Sequence, residues 1–318
     1  MKISIIGGTG FVGSHILDKL LAANHTPRLL VRPGSESRVE QRERCELVSG
    51  DVDDASAVAE CLEGADAMIY LIGILREFPS RGITFDGLQF RAVDRLVQTA
   101  KDKGIKRFLL MSANGVKPDG TPYQRSKFMA EETLRASGLD WTIFRPSVIF
   151  GDPRGRMEFC TQLKRDIIDS PLPAPLFYEG LLPTGAGAFE LAPVHVDDVA
   201  QAFVRALQLP ETVEQTLQLP GPDKLPWKQT LTTIAPAVGG GFDALYYCPH
   251  HPEAVAVGYR LDCQCRKPRP GLLELALAEH DIDLANSCFI GDSVRDLFPD
   301  VEGVGARVLV ATGHELSS

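Results

Sequence analysis

The sequence of 318 residues holds no apolar run that approaches the roughly 18 residues needed to span a bilayer. It also lacks a surplus of positive charge: 33 Lys and Arg stand against 42 Asp and Glu, a net charge of −9. A basic face for nucleic-acid phosphates is therefore not expected, nor is a membrane span. Met1-Lys2-Ile3-Ser4-Ile5-Ile6 is too short an apolar stretch for a signal peptide and reads as a strand, so the expected location is cytoplasmic. Cysteine is sparse and unevenly placed. Cys45, Cys61 and Cys160 are isolated thiols, whereas Cys248, Cys263 and Cys265 fall close together and Cys288 follows in an apolar run. In a reducing compartment such a cluster points to a metal before it points to disulfides.

What is present is an ordinary globular composition, 44% hydrophobic and 24% charged, in a chain long enough for two domains at about 150 residues each. A strand ending at Ile6 runs into Gly7-Gly8-Thr9-Gly10-Phe11-Val12-Gly13, and helical periodicity follows from Ser14. Strand, glycine-rich turn and helix place backbone N–H groups and the positive end of a helix dipole before a pyrophosphate. Gly7, Thr9, Gly10, Phe11, Val12 and Gly13 are the expected dinucleotide contacts.

The next strand, Arg28-Leu29-Leu30-Val31, ends at Arg32, where NAD-binding sheets place an acid for the ribose hydroxyls. An arginine donates to a 2′-phosphate instead, with Ser35 and Arg38 near enough to help, so NADP(H) is expected ahead of NAD(H). A solvated loop arginine is the alternative. Asp51 and Val52, after the third strand, would meet the adenine edge. Leu71, in the fourth, would lie near the nicotinamide ribose. Alternation of these strands with helical stretches predicts a doubly wound parallel α/β sheet of Rossmann type.

The strand Arg107–Met111 delivers Ser112, with Asn114 as a competitor for its role. Tyr123 and Lys127 then share one face of a helix, and a nearby ammonium would lower the phenol's pKa. That pair suits general acid–base exchange with a carbonyl or alcohol. The alternative is a surface tyrosine beside a solvated lysine.

The glycine motif, Gly50-Asp51, Tyr123–Lys127, Phe144-Arg145-Pro146-Ser147-Val148-Ile149-Phe150-Gly151 and Pro193–Ala200 together resemble the atypical short-chain dehydrogenase/reductases. The group concerned is related to the accessory NADPH-binding subunit of respiratory complex I. The resemblance covers about residues 1–240, with 151–240 as a partial substrate lobe. It implies bound NADP(H), an unidentified small-molecule substrate, or a structural nucleotide within a larger protein complex.

Past Gly239-Gly240-Gly241 the character changes. Cys248-Pro249-His250 and Cys263-Gln264-Cys265 offer two pairs of soft ligands across a short loop, which suits a closed tetrahedral Zn²⁺ site. His251 competes with His250, and thiols without a metal are the alternative. Arg266 and Lys267 follow at once, and a later strand leads to Gly291-Asp292-Ser293. A lysine on one loop and an aspartate at a strand end are groups that hold phosphate and Mg²⁺. This block resembles the histidinol-phosphate and heptose-bisphosphate phosphatase group of the haloacid-dehalogenase superfamily. The resemblance implies zinc at Cys248, His250, Cys263 and Cys265, phosphate contacts from Arg266 and Lys267, and Mg²⁺ at Asp292. It makes 241–318 a partial phosphatase-like segment. Those phosphatases attack through the first aspartate of a DxDG element, and residues 242–318 contain none. Asp51-Val52-Asp53 lacks the glycine and already has a place in the dehydrogenase pattern. Phosphatase activity is therefore expected to be lost.

Overall fold

The structure, a computed structural model, describes residues 1–169, 189–237, 263–291 and 294–309. By contacts the chain forms two compact units: Met1–Glu158 with Ala192–Asp223, and Phe159–Leu191 with Lys224–Ser318. The stretch expected as a partial substrate lobe is thus shared between the units.

The first unit is built on seven parallel strands. They are β1 (Lys2–Ile6), β2 (Thr26–Val31), β3 (Glu46–Ser49), β4 (Ala67–Tyr70), β5 (Arg107–Met111), β6 (Asp140–Pro146) and, from further along the chain, Gln215–Leu219. Their order across the sheet is β3-β2-β1-β4-β5-β6 followed by the Gln215–Leu219 strand, the doubly wound order with one strand added beside β6. The reversal lies between β1 and β4, so a crevice opens at their carboxyl ends.

The central strands read as near-continuous apolar runs because both faces are covered. Ile3, Ile5, Met68, Ile69, Phe108 and Leu109 are fully buried. One face packs against α2 (Ala55–Leu62), α3 (Ala92–Asp102) and α4 (Pro122–Arg135), through Val58, Leu62, Leu96, Ala130 and Leu134. The other packs against α1 (Phe11–Ala22) and the helix Val196–Ala206, through Ile16, Leu20, Val199 and Phe203. Helix starts follow local chemistry. The Asp54 carboxylate accepts from the amides of Ser56 and Ala57 at the head of α2. Thr121 and Gln124 form a reciprocal capping box at the head of α4, where Pro122 takes the first turn.

Within the second unit, Leu163, Trp227 and Leu231 form a small core with Phe159, Ile167, Phe189, Leu191 and Ile234 around it. Further along, the helix Gly271–Glu279 precedes two parallel strands, Cys288–Gly291 and Ala306–Leu309.

Candidate functional site

The glycine turn is shaped by close backbone approach. Gly7 has φ +94°, a conformation that side chains resist. A Cβ on Gly13 would stand 2.5 Å from the Gly7 carbonyl oxygen and 2.7 Å from Gly8 Cα, so glycine alone lets α1 pack this near β1. Gly10 is the N-cap of α1 and brings no side-chain cap, and the first turn holds no acid. The helix therefore presents uncapped amides at its positive end, which fits the donor set a pyrophosphate requires. Thr9, Phe11 and Val12 are half-buried along the same turn.

Arg32 follows the last residue of β2 and is exposed. Its carbonyl accepts from the Ser35 amide at 2.9 Å, and the Ser35 carbonyl in turn accepts from the Arg38 amide at 3.1 Å. Asp51 is half-buried beyond β3, Val52 is buried, and Leu71 continues β4 with its amide bonded to the Ile6 carbonyl at 2.9 Å. A Cβ on Gly50 would meet the Ala57 methyl at 2.3 Å, so the glycine lets α2 approach the strand end.

Tyr123 and Lys127 lie on α4 as the spacing requires, but their electrostatics differ from expectation. The Lys127 ammonium, buried, donates to the Met111 carbonyl at 3.0 Å and the Ile72 carbonyl at 3.4 Å. Burial lowers its pKa to about 8, against a raising influence from Glu131. Burial also pushes the Tyr123 phenol up rather than down. The strand-end carbonyls take up the ammonium, so it does not lower the phenol's pKa here. A Cβ on Gly73 would stand 3.6 Å from Nζ, which puts the lysine under the end of β4. Tyr123 stacks edge-on against Phe85 at 5.7 Å.

Ser112 is buried, and its hydroxyl donates to Oε1 of Glu131. That carboxylate also accepts from Arg145 Nε at 2.9 Å and from Arg135 Nη2 at 2.7 Å. Burial pushes the Glu131 pKa up, but the bonds from Arg145, Ser112 and Arg135 outweigh it and hold it below the usual glutamate value. Asn114 is exposed and its amide is bonded to Pro146. Sequence reading missed Glu131, because an acid within a helix is by default a solvated one.

In the second unit, the sulfurs of Cys263 and Cys265 lie 3.0 Å apart, too far for a disulfide bond of about 2.05 Å and near enough to share an ion. Cys248, His250, His251 and Asp292 lie outside the described residues, as does the glycine run 239–241. Among the described residues no group of three or more His, Cys, Asp or Glu side chains comes together to hold a metal. Nη1 of Arg266 is buried without a hydrogen-bond partner, a donor that suits an anion. Lys267 Nζ lies 5.8 Å from the Phe298 ring.

Residues 7–167 match the NAD(P)H-binding family profile, half of the chain. The chain belongs to that family. The fold is similar to that of gox2253, at TM-score 0.61 and 22% identity over 77% of each chain. It is also similar to MoeE5 solved with UDP-glucuronic acid and NAD, at TM-score 0.60 and 18% identity over 76% of this chain and 83% of that one. A third similar structure is DesIV, a dTDP-glucose 4,6-dehydratase from Streptomyces venezuelae solved with NAD, at TM-score 0.57, with 76% and 82% covered. The family match carries NAD(P)H binding, and the similar structures carry the fold.

Residues 264–315 match the HAD-hydrolase-like family. The C-terminal region is 42% identical over 80 residues to D-glycero-beta-D-manno-heptose-1,7-bisphosphate 7-phosphatase of Vibrio cholerae, covering 25% of this chain and 43% of that protein. The Escherichia coli K12 phosphatase of the same name is 43% identical over 76 residues, covering 24% and 40%. The chain thus spans less than half the length of these relatives. It joins an NAD(P)H-binding α/β fold to a HAD-hydrolase-like segment. Among the described residues no helix is long and apolar enough to cross a membrane.

Proposed function

We propose that the protein holds NADP(H) in preference to NAD(H) and exchanges a proton between Tyr123 and a small carbonyl or alcohol substrate. The observation that carries this reading is the exposed Arg32 at the end of β2, together with the uncapped head of α1. Gly7, Thr9, Gly10, Phe11, Val12 and Gly13 would surround the pyrophosphate, Arg32 with Ser35 and Arg38 the 2′-phosphate, Asp51 and Val52 the adenine, and Leu71 and Lys127 the nicotinamide ribose. The bound nucleotide supplies the hydride chemistry. Tyr123, whose phenol stays protonated well past neutrality, favours donation to a carbonyl over abstraction from an alcohol. NADPH and NADH titrations followed by nicotinamide fluorescence, then a carbonyl screen with wild type and Tyr123→Phe, test the two halves.

The bond from Ser112 to Glu131 favours a second reading, a nucleotide held structurally within a larger complex. A hydroxyl donated to a buried carboxylate has its proton committed, which weakens Ser112 as an aid to Tyr123. Retained NADPH binding with no turnover on any carbonyl would select this reading.

For the C-terminal segment we propose a closed zinc site of Cys248, His250, Cys263 and Cys265, and an anion contact from Arg266 and Lys267. The 3.0 Å sulfur separation and the unpaired Arg266 donor support these assignments. Asp292 would be the Mg²⁺ ligand. Without a DxDG aspartate no phospho-enzyme can form, so heptose-bisphosphate hydrolysis by this chain is not expected. The protein is proposed to be cytoplasmic.

A further inference from the structure

The turn after β6 and the short strand Ile149–Phe150 is tied to three distant parts of the first unit. Arg156, with a side chain 9% exposed, donates from Nε to the Thr9 carbonyl at 3.0 Å and from Nη2 to the Arg38 carbonyl at 2.7 Å. Its Nη1 donates to Glu40 Oε1 at 3.0 Å and to the Arg154 carbonyl at 3.1 Å. Four of five guanidinium N–H donors are thus committed, and Glu40 offsets the charge. Arg154, at φ +48°, ties the same turn to α1 through Asp18 at 2.6 Å and the Ser14 carbonyl at 3.4 Å. The His15 ring nitrogen Nε2 meets the Asp152 carbonyl at 3.0 Å.

Thr9 belongs to the glycine turn and Arg38 to the loop that opens at Arg32. These are the two loops that a dinucleotide must contact together, at its pyrophosphate and at its adenosine end. We propose that Arg156 is a positioning residue for the nucleotide: one planar guanidinium fixes the separation between the phosphate loop and the adenosine loop. It acts through those loops, because four of its donors are committed to them, to the Arg154 carbonyl and to Glu40, which also offsets its charge. The planar fork matters, since a lysine ammonium cannot serve two carbonyls and a carboxylate lying in different directions. The inference rests on the reading that residues 32–38 face the adenosine end.

The test uses the full chain and two probes, NADPH and NADH, titrated by fluorescence into wild type, Arg156→Ala and Arg156→Lys. With the brace removed, the better-held nucleotide should lose at least ~10-fold in affinity, and the ratio of the two dissociation constants should fall toward one. Arg156→Lys should not restore the ratio. A general loss of stability would weaken both nucleotides alike and leave the ratio unchanged, and that result would overturn the proposal. So would unaltered affinity for both, or a wild type that holds both equally. A wild type preferring NADH would defeat the Arg32 reading while the fall in ratio still decides the role of Arg156. Should Arg156→Ala prove insoluble, Glu40→Gln removes the carboxylate charge that holds Nη1 and should shift the ratio in the same direction. An unchanged ratio in that variant would count equally against the brace.

Discussion

The carboxylate of Glu131, on α4, accepts the hydroxyl of Ser112 from the end of β5, and two arginines close around it. Removing the acid leaves Arg145 without its carboxylate partner against the sheet, while Arg135 keeps Glu132 at 2.5 Å. Glu131→Ala should cost about 3 kcal/mol, the lower end for a broken buried pair because both arginines reach solvent. Equilibrium urea unfolding checks it. The Glu131 pKa is lowered in the folded state, so its stabilisation is present above the ordinary value of 4.5 and disappears as pH falls through the lowered one. The stability gap between wild type and Glu131→Gln should narrow over that acid range.

Arg32→Asp should move the preference from NADPH toward NADH, because a carboxylate repels the 2′-phosphate and accepts from ribose hydroxyls. Dissociation constants for both nucleotides in both proteins decide it. A ratio that stays put would remove Arg32 from the site.

Tyr123→Phe keeps the ring that packs on Phe85 and deletes the transferable proton. Any reductase turnover should fall at least ~10²-fold while NADPH affinity holds. In the wild type, Lys127 loses its charge as pH rises through about 8, so turnover and cofactor affinity should decline across that point. The folded lysine releases its proton before the unfolded one, near 10.5, so this group adds stability as pH climbs between those values. Lys127→Met should abolish both trends.

His25 is 8% exposed and neither ring nitrogen has a hydrogen-bond partner. Burial, followed by the charge at the N-terminus, lowers its pKa below 6.5, so the fold holds it neutral. Its contribution is complete above the unfolded value of about 6.5 and is lost as pH falls below it toward the lowered folded one. Wild type should weaken over that interval more than His25→Leu, as judged by urea midpoints at pH 5 and 7.5.

Purified protein should carry about one zinc per chain and release no phosphate from heptose bisphosphate with Mg²⁺ present. Metal analysis well below one equivalent would remove the site. Phosphate release abolished by Asp51→Asn would show that the front of the chain supplies a nucleophile.

The sequence by itself determined the doubly wound fold, because strand periodicity, helix caps and the spacing of Gly7, Gly10 and Gly13 are local properties that one stretch of chain carries. It also marked Arg32, since the end of β2 is legible from the strand before it. What lay beyond reach depended on residues far apart in the chain. Tyr123 and Lys127 keep their four-residue spacing, yet Lys127 is drawn to the carbonyls of Ile72 and Met111, which only sheet assembly brings beneath α4. Arg156 meets Thr9 across 147 positions and Arg38 across 118, so nothing near Arg156 in sequence announces its role. Hydrogen bonds to main-chain carbonyls leave no complementary side chain to recognise, and tertiary structure alone decides where such bonds form.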